Sequence, residues 1–192
     1  CAQRATGPTP PPLTRTRAST LAGAITVTGP ALLGADVTIK TCGGATTDAI
    51  TFSGAKSTID NANDLVLDGT AAGTASATSG AVTLGGVVGG TTALTSLTAK
   101  GSTVSLKDVT TTAAQSYTGA TSTTLNGDLT STVGGAITVT GPALLATGAI
   151  TVQTAGGAAT DDITFTSTIN NGQALTLTAG AGDVLVSGIA GG

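Results

Sequence analysis

Short apolar–x–apolar triplets recur along most of the chain. ITV begins at Ile25, VTI at Val37, ITF at Ile50, LVL at Leu65, VTL at Val82 and VSL at Val104. The rhythm resumes with ITV at Ile137, ITV at Ile150, ITF at Ile163, LTL at Leu175 and VLV at Val184. Successive starts are mostly separated by similar short intervals. Alternation with period two, often with Thr in the middle, marks a strand with one buried face, and Val, Ile and Thr suit a pleated, half-buried surface. Between the triplets stand Gly-Gly pairs, Gly29-Pro30, Asp68-Gly69, Asn126-Gly127 and Asn171-Gly172, which are turn signals. Helix signals are nearly absent. The pattern predicts an all-β protein of many short strands, with Ile25, Val27, Ile137 and Val139 pointing inward and the intervening Thr outward.

The pattern is also copied at long range. GAITVTGPALL occupies 23–33 and, letter for letter, 135–145. ADVTIKTCGGATTDAITF (35–52) pairs with GAITVQTAGGAATDDITF (148–165), and STIDNANDLVL (57–67) with STINNGQALTL (167–177). SGAVTLGGVVGG (79–90) is echoed by AGDVLVSGIAGG (181–192). A building block has been duplicated, giving a long repeat over 21–133 and a partial second copy over 134–192. The second copy stops part-way through the unit, which reads as a segment of a longer protein. Residues 1–20 differ: Pro8, Pro10, Pro11 and Pro12 favour extended polyproline geometry, which predicts a flexible leader or linker.

Two architectures suit short strands at this spacing. One is a tandem pair of immunoglobulin-like β-sandwiches. The other is a β-solenoid, in which each coil stacks on the last. Sandwich cores want large side chains, whereas this chain has no Trp and one Tyr. A solenoid fills its narrow bore with stacked Val, Ile and Leu and tolerates small residues at every corner. The solenoid is therefore expected. With two triplets to a coil of about 25 residues, the body would hold about seven coils and measure about 30–35 Å.

Composition then narrows the chemistry. There is no His, and all ten acidic residues are Asp, so the usual imidazole base, a His-based zinc site and a Glu acid/base pair are excluded. Beyond the leader, four Lys face ten Asp, an acidic balance with no basic patch for nucleic acid. No apolar run approaches the roughly 20 residues of a transmembrane helix. Of the two cysteines, Cys1 fits either a fragment end or the acylated first residue of a lipoprotein, and Cys42 has Ala155 as its counterpart. A disulfide copied with the repeat is not expected.

Three patterns are candidate sites. Thr26/Thr28, Thr138/Thr140, Thr164/Thr166 and Thr176/Thr178 could order water against ice if they lay in register coil after coil. Their ordinary role is that of soluble, outward strand formers. Gly-rich turns with Asp suggest calcium, but AGAGDVLVSG (179–188) puts Asp183 directly after Gly182 and fails the β-roll spacing. Asp161-Asp162 is a lone pair, matched in the first copy by Asp48-Ala49. No phosphate loop occurs, and a Ser nucleophile would lack its base. The expectation is a non-enzyme with no catalytic, cofactor or metal residues; the remaining alternative is a binding module for ice, glycan or calcium on a Thr/Asp-rich face.

The stretch GGTTALTSLTAKGSTVSLKDVTTTAAQSYTGATSTTLNGDLTSTVGGAITVTGPALL (89–145) resembles the Thr/Gly/Ala-rich repeats of filamentous-haemagglutinin-like bacterial surface exoproteins. The similarity covers about 21–192 and rests on phrases such as TTALTSLTA and SYTGATSTTLNGDLTS. It implies a right-handed parallel β-helix serving as an adhesin stalk or adhesive surface at the bacterial cell surface. It also implies two-partner secretion, with an outer-membrane secretion partner.

Overall fold

The computed structural model describes residues 17–18, 23–41, 45–54, 56–70, 73–146 and 148–191. Among these there is no helix, and every strand pairing is parallel. Immunoglobulin-like sandwiches are built from antiparallel sheets. That alternative is therefore corrected: the short strands stack on themselves circuit after circuit.

Three parallel ladders carry the chain. The first contains Val37–Lys40, Asp64–Asp68, residues 96–100, residues 115–118, Ile137–Thr140, Ile163–Phe165 and Val184–Val186. Arg17–Ala18 pairs beneath its first strand. The second holds Ile25–Thr28, Ile50–Ser53, Val82–Leu84, residues 104–106, residues 123–125, Ala143–Leu145 and Ile169–Asn170. The third holds Ala31–Leu32, Ile59–Asp60, a bridge at Val88, Val109–Thr111, Leu129–Ser131, Ile150–Thr154 and Leu175–Ala179. The chain visits them in unvarying order, first, second, third, and then begins the next circuit.

Local sequence dictates where it bends. Strands Ser96–Leu106 and Gln115–Leu125 each run through two ladders. In the former the in–out alternation breaks at Gly101 and Ser102, both buried; in the latter the register jumps between Gly119 and Ser122. Both copies of GAITVTGPALL bend at a Gly-Pro pair, where Gly29 (φ +94°) and Gly141 (φ +90°) take a left-handed conformation that costs glycine little. Pro then re-enters the next short strand.

The expected facing is observed. Ile25, Val27, Ile137 and Val139 are buried, while Thr26 and Thr138 are half-buried and Thr28 and Thr140 exposed. Inward residues stack in columns, for example Val37–Leu65–Leu97–Gln115–Ile137–Ile163–Val184 on the first ladder. The expected pair of strands per coil is corrected, since each circuit contains three strand positions. From Ile25 to Ile137 the chain takes fourteen steps from ladder to ladder.

Fourteen steps make four circuits and two-thirds of a fifth, and this has a topological result. Ile25–Thr28 lies on the second ladder, whereas its identical twin Ile137–Thr140 lies on the first. The same one-ladder rotation holds for Val37 against Ile150, Ile50 against Ile163, and Leu65 against Leu175. One sequence thus serves at different positions around the circuit.

Inward Gln115 and Tyr117 find their polar partners inside, whereas the buried Thr123 hydroxyl on the second ladder has none. Tyr117, fully buried, donates through its hydroxyl to Gln115 Oε1 at 2.9 Å. Gln115 Nε2 donates to Thr111 Oγ1 at 3.1 Å and to the Thr130 carbonyl at 2.9 Å. Small Ala99, on the circuit below Tyr117, leaves room for the ring. Tyr117→Phe strands Gln115 Oε1 without its donor, and chemical denaturation is expected to register a loss of about 1–3 kcal/mol.

Candidate functional site

The hydroxyl pairs singled out from sequence fall on three different ladders. Thr138/Thr140 and Thr164/Thr166 share the first ladder and continue there from Ser116/Thr118. Thr26/Thr28 lies on the second beside Thr51/Ser53, and Thr176/Thr178 on the third beside Thr151/Gln153. The first ladder therefore has three consecutive outward hydroxyls at Ser116, Thr138 and Thr164, joined by a second at Thr118 and Thr140, while Thr166 lies just past its strand. Lys40, Val66, Asp68 and Lys100 interrupt the lower part of those two columns, and Leu185 caps one of them. On the second ladder Thr26, Thr51, Thr83, Ser105 and Thr124 form one outward column, which ends at Leu144. Because duplication rotates the copied Thr-x-Thr to another ladder, it does not enlarge one hydroxyl plane.

Most of the carboxylates are used on the backbone. Asp36 Oδ1 accepts the Asp64 N–H at 3.0 Å, and Asp108 Oδ1 accepts the Asp128 N–H at 2.9 Å. Asp128 Oδ1 accepts the Thr151 N–H at 2.7 Å, and Asp162 Oδ1 accepts the Asp183 N–H at 2.8 Å. Asp64 Oδ1 accepts from Ser96 Oγ at 2.7 Å. In each case the acceptor sits one circuit before the donor, so these side chains tie successive circuits together. The sequence signal is an Asp placed directly before an apolar strand start, as in Asp36-Val37, Asp108-Val109, Asp128-Leu129 and Asp162-Ile163. Reading along the chain misses it, because the partner lies a full circuit away.

Asp161 and Asp162 do not converge on a common point. Asp162 faces the next circuit, while buried Asp161 caps a turn, accepting from the Ala158 N–H at 2.9 Å and from the Gly135 N–H. Asp48, its counterpart, accepts from the Ala45 N–H at 2.9 Å. Asp60 is likewise buried and holds the Thr91 N–H at 2.8 Å. The Ala158 and Gly135 bonds take up both Asp161 oxygens, whereas the buried Asp48 Oδ1 has no hydrogen-bond partner. Among the described residues, no three Cys or Asp side chains gather where a metal ion could be held. Cys1, Cys42 and most of the leader lie outside the described residues.

One charged column crosses the first ladder, where Lys40, Asp68 and Lys100 are in register. Lys40 Nζ lies 3.1 Å from Asp68 Oδ2. Partial burial pushes the Asp68 carboxyl pKa upward, but hydrogen bonds from the Thr70 hydroxyl and N–H and the neighbouring Lys40 outweigh it. The net result lies below the ordinary carboxylate value of 3.8. A depressed folded-state pKa contributes stability that is present above the unfolded value and is lost as pH falls through the folded one. Asp68→Asn is therefore expected to flatten the loss of stability on acidification below about pH 4. Urea denaturation of both proteins at neutral pH and near pH 3 checks this; equal acid sensitivity contradicts it.

Among the described residues, no helix is long and apolar enough to cross a membrane. No protein-family model, curated protein or solved structure matches the chain.

Proposed function

We propose that this chain is a β-solenoid segment, a right-handed parallel β-helix, of a secreted bacterial surface exoprotein. Its work is mechanical: it serves as a stalk that holds other parts of its parent away from the cell, or adds adhesive surface along its length. The rotated duplication carries this reading. A module copied for a binding site has to present that site with its surroundings, whereas a module copied for length needs only to stack. GAITVTGPALL stacks equally well on two different ladders. Its inward residues join the aliphatic columns and its outward Thr meet solvent wherever they fall.

The same division explains the chemistry. Stacked coils bury a continuous column of Val, Ile and Leu, and backbone ladders run along the axis. Circuit-to-circuit Asp bonds add cross-links without any ligand. The resemblance to filamentous-haemagglutinin-like repeats adds export through an outer-membrane secretion partner and a location on the bacterial surface. The reading is tested by antiserum raised against the purified chain and applied to intact cells of the bacterium that makes it. Labelling of unpermeabilised cells, removed by external protease, is expected. Labelling that needs lysis contradicts it.

A further inference from the structure

Two copies of one sequence give the strands of this chain a choice of partners. Ile25–Thr28 carries Ile50–Ser53 on the next circuit through Ile25–Ile50, Thr26–Thr51 and Val27–Phe52. Ile137–Thr140 carries Ile163–Phe165 through the same residue types, Ile137–Ile163, Thr138–Thr164 and Val139–Phe165. Val37–Lys40 likewise bears Leu65 and Leu67, as Ile150–Thr154 bears Leu175 and Leu177. Either copy would therefore accept the other's next circuit, and these aliphatic pairs do not tell which is right. Strands with such repetitive faces specify their register weakly and are prone to slip.

One stretch of the bore does discriminate. The column Val37–Leu65–Leu97–Gln115–Ile137–Ile163–Val184 holds a single polar residue, Gln115. Beside it, Ile39–Leu67–Ala99–Tyr117–Val139–Phe165–Val186 sets its one Tyr directly on its one Ala. The Tyr117 hydroxyl donates to Gln115 Oε1, and Gln115 Nε2 donates to Thr111 Oγ1 and the Thr130 carbonyl. Thr111 Oγ1 and Ser131 Oγ both donate to the Ala113 carbonyl. These groups come from two ladders and two successive circuits, so the set closes only when both circuits stack in the observed order.

We propose that the Tyr117–Gln115–Thr111–Thr130 network is a register lock. It fixes which circuit follows which in a chain whose duplicated strands are otherwise interchangeable. Stacking residues 115–118 one circuit too low would set Tyr117 on Leu67 in place of Ala99. A shift that parts Gln115 from Thr111 or Thr130 leaves buried polar groups unpaired, and that penalty falls on the wrong arrangement alone. A fully satisfied buried network thus selects one arrangement even where an apolar core of the same shape would be as stable. Thr123 gives the contrast, since its buried hydroxyl has no partner and favours no register over another.

The test combines Gln115→Leu with Tyr117→Phe, which keeps the buried volume and removes both ends of the internal bond. Spin labels at Thr38 and Thr164, in a chain carrying Cys1→Ser and Cys42→Ser, report the stacking. These positions lie five circuits apart on the first ladder, about 24 Å at ~4.8 Å per circuit. The parent is expected to show that one distance. The double variant is expected to fold, with a urea midpoint above that of Tyr117→Phe alone. It should nevertheless show a second distance displaced by about 4.8 Å or more, in a share of molecules at least about tenfold above the parent's. Thr123→Val, which removes a buried hydroxyl outside the network, should keep the single distance. A double variant with one distance overturns the proposal. So does one that fails to fold, because the network would then supply stability and not register. A second distance in Thr123→Val overturns it too, by making any buried hydroxyl as selective as the network.

Discussion

Phe52→Ala is expected to lower the free energy of unfolding by about 3–5 kcal/mol. Phe52 is fully buried on the second ladder, with Val27 one circuit below and Leu84 one circuit above. The chain has two Phe and one Tyr, so no other large ring stands nearby in that column to fill the void. Residues in register cannot slide along the axis without breaking ladder hydrogen bonds, so the cavity stays open. The loss combines forfeited transfer free energy with the cavity itself. Thr51→Ala, one residue away on the outward face, is expected to change stability by no more than about 0.5 kcal/mol. Chemical denaturation of the two variants side by side separates inward from outward; similar effects would contradict the facing assigned to this strand.

Gly80→Ala is expected to be among the damaging glycine substitutions, because the methyl group would meet backbone. A Cβ on Gly80 overlaps the Asp48 carbonyl of the preceding circuit. That carbonyl is backbone and cannot rotate away. Gly80 is also held from both sides, its N–H donating to the Gly69 carbonyl at 2.9 Å and its carbonyl accepting the Ser102 N–H at 3.2 Å. A Cβ on Gly69 or Gly101 would in turn come within 2.5 Å of the Gly80 oxygen. Backbones of three circuits meet here with no room for a methyl group. Overpacking typically costs about 1–3 kcal/mol, and the upper end applies where backbone must move. Gly157→Ala, with open space around its Cβ position, should be nearly neutral. A Gly80→Ala protein as stable as Gly157→Ala would contradict the close approach.

Strand facing was legible because Ile-x-Val and its relatives carry their period within three residues. The number of strands per circuit was not. The positions that triplet counting passes over include Ala31, Ile59, Val88, Val109 and Leu129, all on the third ladder. There the second inward residue is often a hydroxyl, as with Thr111, Ser131 and Thr154, which breaks the apolar pattern. Those hydroxyls are satisfied by corner carbonyls, Thr111 Oγ1 donating to Ala113 at 2.6 Å and Thr154 Oγ1 to Asp161 at 2.7 Å. Such partners are set by how the corner folds. Gln115 likewise reads as surface by composition, and is buried because Tyr117 and Thr111 meet it inside.

The duplication was plain in the letters, while its rotation was hidden. Identical segments invite the assumption of identical places, yet position around the circuit depends on the summed length of everything between them. Fourteen steps do not divide evenly by three. For the candidate surfaces this matters directly. The period of each Thr pair tells that it faces outward, but only ladder register tells which pairs share a side.

The stacking order is tested most directly by distances along one column. Outward positions Thr38, Ser116, Thr138, Thr164 and Leu185 belong to the first ladder, and Ser116, Thr138, Thr164 and Leu185 lie three to six circuits beyond Thr38. Spin labels on Thr38 paired with each of the other four, measured by pulsed electron resonance, should read a ruler rising by about 4.8 Å per circuit, from about 14 to about 29 Å between backbone positions. A label on Thr26 should fall off that line, unlike its sequence twin Thr138. Distances that fail to lengthen in this order, or that place Thr26 and Thr138 on one line, would contradict the stacked, rotated repeat.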